Sequence, residues 1–197
     1  MSKARVDLGY KKEKRFLFVL SIILGVSMIL FWSSSLFVRL SFALISFILF
    51  YLFDGLLRLK FNKGHYAAII IIIIAGCLMS PLFFIYPYYD KVLHFLLPIL
   101  TAYLIFHCID KLDLKLKWKL LFTLASVVAI LGVFEIIEYT LDLFLDLKLQ
   151  GVYLRDSYGL EKLSVLTEPI DDTMIDMVFG LIGSGLYCIY GYFKNKN

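Results

Sequence analysis

Six stretches of the chain stay apolar for about the length of a membrane crossing: about residues 16–32, 36–53, 66–86, 90–109, 118–139 and 172–193. A helix rises about 1.5 Å per residue, so roughly 20 residues span a hydrocarbon core of about 30 Å. Backbone N–H and C=O groups in lipid must find partners within their own segment, which makes each stretch a helix rather than a strand. The whole chain agrees: 61% of its 197 residues are hydrophobic and its mean hydropathy is +0.85. A soluble domain of this size needs far less to fill its core. The expected fold is an all-α integral membrane bundle of six transmembrane helices, a single domain over 16–193 behind a basic tail at 1–15. It has no internal repeat, linker or separate soluble domain.

The start, "KKEKRFLFVLSIILGVSMILFW", has the charged head and apolar body of a secretory signal. "SSS" follows it instead of an A-x-A cleavage site, and a second apolar segment begins almost at once. An uncleaved first helix is expected, paired with the second as an antiparallel hairpin through Ser33–Ser35.

Positive charge sets the orientation. Lys3, Arg5, Lys11, Lys12, Lys14 and Arg15 precede the first span, and Arg58, Lys60 and Lys63 follow the second. Lys111, Lys115, Lys117 and Lys119 follow the fourth, and Lys194 and Lys196 end the chain. The other connections are poorer in Lys and Arg, so both termini are expected in the cytoplasm, with one polar extracytoplasmic loop over 142–171. A net charge of +4 in clusters beside apolar runs suits lipid headgroups and implies no nucleic-acid partner. The lipid bilayer is the expected partner, and the cell (inner) membrane the location.

Within this frame the acids are out of place. In "GVFEIIEYTLD", Glu135, Glu138 and Asp142 are spaced i, i+3, i+7 and share a helix face. Counting from Trp118 puts Glu135 roughly 25 Å up, in the outer part of the bilayer. The fourth span begins at the same outer surface with "YDKVLHF", and the sixth with "IDDTMIDM". Asp90 and Asp172 then stand at the boundary, with His94 and Asp176 one turn deeper. An ionised group in hydrocarbon costs a few kcal/mol or more and turns toward a bundle interior, a partner or water. The expected result is a shared pocket of Asp90, His94, Glu135, Glu138, Asp172 and Asp176, with Thr173 and Tyr139 nearby. So many carboxylates, with only Lys91 among them, repel one another and require protons or a cation.

Carboxylates with one imidazole suit a divalent metal such as Mg, Mn, Fe or Zn. The leading expectation is a metal-dependent membrane hydrolase acting on a lipid-linked, headgroup or small-molecule substrate. Its metal ligands would be His94, Glu135, Glu138 and Asp176, with Asp90 or Asp172 as base. A cation- or proton-coupled carrier and a non-catalytic membrane scaffold are the alternatives. The wholly apolar third span offers a carrier little beyond the outer half. Structural readings stand beside these. Asp90, Asp171 and Asp172 can cap helix starts, and His94 can pair with Glu135 or Glu138 to hold helices together. Asp142 and Asp146 suit solvent, and His65 and His107 the cytoplasmic boundary. Cys77, Cys108 and Cys188 show no ligand spacing and read as small buried hydrophobes. Gly180, Gly183, Ser184, Gly185 and Gly191 suit close helix packing within the chain. Tyr86, Tyr88, Tyr89 and Trp118 suit the membrane interface. Pro98, just past His94, can free a backbone carbonyl toward the pocket.

"DKVLHF" at 90–95, "EIIE" at 135–138, "QG" at 150–151 and "DDTMIDM" at 171–177 resemble the pattern of the YjdF-like family of small inner-membrane proteins. The resemblance covers roughly residues 66–193. The Asp-Lys-x-x-His-Phe start is also similar, in part, to the VanZ-like family. The YjdF-like resemblance implies the same site residues and no substrate. It also draws attention to Gln150 and Gly151 as a turn that sets an amide over the pocket. The chain is longer than shorter family members between Gly151 and Asp171.

Overall fold

In a computed structural model the described residues are 3–32, 36–145, 148–155 and 163–196. The Ser33–Ser35 turn and Asp146 lie outside them. The fold is helical, as the hydropathy requires, and its helices are α1 (Lys3–Leu30), α2 (Leu36–Leu56), α3 (Lys63–Ile73), α4 (Tyr89–Ile109), α5 (Leu116–Leu145) and α6 (Pro169–Lys196). Among the described residues, α2, α4, α5 and α6 are long and apolar enough to cross a membrane. One departure from an all-helical chain lies outside these spans. Strands β1 (Val152–Arg155) and β2 (Leu163–Thr167) pair antiparallel, with a bulge between Val152 and Tyr153. The chain divides into two units, Met1–Ser80 and Pro81–Asn197.

In the first unit α1 takes in residues 3–15, which composition alone sets apart as a tail. Its pairing with α2 is antiparallel. Ser41 donates to the Met28 sulfur at 3.2 Å, Gly25 faces Leu44, and Lys14 pairs with Asp54 at 3.8 Å, so partner numbers fall as the chain advances. Asp54 is buried and also accepts from the Tyr66 hydroxyl at 3.1 Å. The start of α3 is closed by a capping box. The Asn62 side chain accepts from Gly64 N at 2.9 Å and His65 N at 3.2 Å, and His65 Nδ1 accepts from Asn62 N at 3.2 Å. His65 is therefore a buried capping residue. The third apolar stretch does not continue as a regular α-helix. Its winding loosens to a π-helix over Ile74–Leu78 and then tightens to a 3-10 helix over Ser80–Phe84. Gly76 and Pro81 fall in these turns, where one resists the α-helix entropically and the other lacks an N–H.

The second unit holds α4, α5, α6 and the hairpin. Along α4 and α6 the contacts advance together, Lys91 with Asp172 and Asp176, Phe95 with Gly183, and Tyr103 with Tyr187, so the two helices run parallel. Along α5 they run in reverse, Glu135 with Thr173, Leu131 with Gly180, and Leu120 with Gly191, so α5 is antiparallel to α6. The small residues of α6 make this possible. A Cβ on Gly180 would overlap Leu131, and one on Gly183 would overlap the Phe95 carbonyl oxygen. Those residues pack within the chain, as expected. Ser184 and Thr123 are buried but satisfied on their own helices, donating to Gly180 O at 2.7 Å and Lys119 O at 2.8 Å. The three cysteines are free and half-buried.

Candidate functional site

Parallel α4 and α6 with α5 reversed bring the start of α4, the end of α5 and the start of α6 to one level. That is where the sequence clusters its acids. Glu135 shows what this does to one helix: it is 6% exposed, while Ile136 beside it is 64% exposed. The carboxylate faces α4 and α6, and the apolar neighbours face outward, where the lipid of a bilayer would lie.

Lys91 is the hub, a role its position next to Asp90 does not advertise. Its Nζ donates to Asp90 Oδ2 at 2.9 Å, to both oxygens of Asp176 at 2.8 and 2.9 Å, and to Asp172 Oδ1. The Lys91 side chain is 13% exposed and that of Asp176 only 2%. Three carboxylates therefore share one ammonium in a largely dry setting, where charge-assisted bonds are strong and a missing partner is costly. Asp90 and Asp172 turn their side chains to Lys91, whereas Asp171 is exposed.

His94 lies between this cluster and α5. Its Nε2 is 3.5 Å from Asp90 Oδ1 and 4.0 Å from Asp176 Oδ2, and its Nδ1 is 3.9 Å from Glu135 Oε1. Donor atoms of Asp90, His94 and Asp176 lie within 4.8 Å of one another. Both His94 Nδ1 and Glu135 Oε1 are buried without a hydrogen-bond partner. They face each other across a gap too long for a direct bond. Pro98 has no N–H to offer the His94 carbonyl four residues back. Glu138, one turn beyond Glu135 on α5, is half-buried.

The loop after α5 is tied to this site. Asp142 is partly buried and accepts from Leu149 N and Gln150 N, both at 2.8 Å. Gly151 N donates to Asp172 Oδ2 at 2.8 Å. Gln150 Nε2 donates to Thr173 Oγ1 at 3.2 Å, and Thr173 Oγ1 donates to Glu135 Oε2 at 2.9 Å. The "QG" pair thus sets one backbone amide and one side-chain amide on the cluster. Gly151 has φ +90°, and a Cβ there would meet Thr167 O at 3.0 Å. Gly151→Ala is expected to cost about 1–2 kcal/mol through the left-handed backbone. Thermal unfolding in detergent measures this, and a melt equal to wild type would count against it.

Nothing matches the chain among curated proteins or among solved structures. The family described as "Predicted membrane protein (DUF2238)" matches residues 13–197, nearly the whole chain and both units. The YjdF-like pattern carried by residues 90–95, 135–138, 150–151 and 171–177 denotes this same family. With apolar helices of spanning length and that match, the chain belongs to the DUF2238 family of predicted membrane proteins.

Proposed function

We propose that this protein is a metal-dependent membrane enzyme acting on lipid-linked or headgroup substrates from the extracytoplasmic side. In this reading it is a six-span bundle with both termini in the cytoplasm. One observation carries the metal: His94 Nδ1 and Glu135 Oε1, buried and without hydrogen-bond partners, face each other at 3.9 Å. Nε2 of His94 looks toward oxygens of Asp90 and Asp176, so the ring proton belongs there and Nδ1 presents a bare lone pair. Two acceptors opposed in this way call for a cation or donor between them. His94 and Glu135 would hold a divalent ion from these two atoms. Carboxylates at the far ring nitrogen are the usual support of a ligating histidine.

Glu138, one turn along α5, and Asp176, 4.0 Å from His94 Nε2, would be the further ligands. One imidazole with carboxylates suits Mn, Fe or Zn, and Mg where more oxygens are recruited. Such an ion supplies Lewis-acid activation of a phosphate or acyl ester. The base would be Asp90 or Asp172. Asp90 is the better placed, since its side chain is 18% exposed against 5% for Asp172, which also holds the Gly151 amide. A carrier is less well supported. Deeper in this unit the buried polar groups Thr123 and Ser184 bond to their own helices and offer no continuing route.

The test is metal content. Protein purified in detergent after exposure to Mn²⁺ or Zn²⁺ should carry stoichiometric metal by elemental mass spectrometry. His94→Ala and Glu135→Ala should fall to background while keeping a normal helical spectrum. A folded wild-type protein that takes up neither ion removes this reading.

A further inference from the structure

We infer that Thr173 and Gln150 are positioning residues for Glu135, so that the extracytoplasmic loop sets the metal affinity of the site. This rests on the metal reading above. Glu135 has two oxygens with different surroundings: Oε2 accepts from Thr173 Oγ1 at 2.9 Å, and Oε1 faces His94 with no hydrogen bond. A carboxylate so held cannot turn both oxygens away from the imidazole. The Thr173 hydroxyl has a single proton, and it points at Glu135 because Gln150 Nε2 donates to the same oxygen at 3.2 Å. The direction of the Thr173 bond is therefore set from the loop.

The loop is itself fixed on both sides of Gln150. Asp142, at the end of α5, holds the Leu149 and Gln150 amides, and Asp172, on α6, holds the Gly151 amide. The chain of bonds runs from loop backbone to Gln150, Thr173, Glu135 and the gap in front of His94. Thr173 reaches the site from α6 and Glu135 from α5, so the bond also sets how far α5 stands from the imidazole. Hydrogen-bonded neighbours of ligating carboxylates typically carry 10- to 100-fold in metal affinity.

Titrations of the full-length protein in detergent with Mn²⁺ alone and with Zn²⁺ alone test the inference. Thr173→Val keeps the shape and removes the hydroxyl, and is expected to weaken binding roughly 10- to 100-fold. Thr173→Ser restores the donor and should bind within about 3-fold of wild type, a rescue that a packing role for the methyl group would not give. Gln150→Ala, outside the helices, should weaken binding in the same direction, and it decides the matter if Thr173→Val does not fold. Wild-type binding with undiminished affinity in folded Thr173→Val or in Gln150→Ala overturns the relay and leaves the metal site standing. Absence of binding in wild type overturns the metal reading on which it rests.

Discussion

Lys91→Met is expected to destabilise the folded protein by about 3–5 kcal/mol, the usual cost of removing one partner from a buried ion cluster. The ammonium is the shared donor for Asp90, Asp172 and Asp176, and the side chains of the latter two are 5% and 2% exposed. Methionine fills a similar volume, so the loss is electrostatic rather than a cavity. Lys91→Arg keeps the charge but brings a planar fork where a compact donor serves three carboxylates, and should recover only part of the stability. Equilibrium unfolding in mixed detergent measures both. If Lys91→Met unfolds within about 1 kcal/mol of wild type, Lys91 does not hold these acids in the folded protein.

Gly183→Ala is expected to cost about 1–3 kcal/mol and to lower metal content with it. The new Cβ would overlap the Phe95 carbonyl oxygen, a backbone atom that no rotamer change can move. The helices α4 and α6 must separate at this crossing. Those two helices carry His94 and Asp176, whose separation of 4.0 Å depends on the crossing. Gly185→Ala is the control, because nothing lies within 4 Å of the added carbon. It should change stability by less than about 1 kcal/mol, in the direction helix propensity favours. Equal melting of the two variants would show that the α4–α6 contact does not limit the fold.

The helices were legible because lipid leaves the backbone few choices, and hydropathy alone marks α2, α4, α5 and α6. The meeting of Asp90, His94, Glu135 and Asp176 was legible because helix direction and rise convert residue number into depth. The role of Lys91 was not. Its nearest acid is its own neighbour, and the bonds that make it a hub come from residues 81 and 85 positions later. Nor was the burial of Asp54, which depends on Lys14 and Tyr66 from other helices. The hairpin was hidden for a different reason. Strands of four and five residues, paired only with each other, leave almost no periodic signal in a polar loop. The two amide bonds of Asp142 were not legible, because they come from loop residues seven and eight positions later.

The separation of Lys91 from its partners also bears on how such a chain is made. The start of α4 is synthesised well before α6, so Asp172 and Asp176 are absent when Lys91 first reaches the bilayer. Asp90, bonded to Lys91 at 2.9 Å within the same helix turn, is the one acid of the three present at that moment. The pair neutralises the ammonium within its own helix, and a bare ammonium would be costly in lipid. Of the three acids, Asp90 is thus the one whose bond to Lys91 does not depend on the last helix being made.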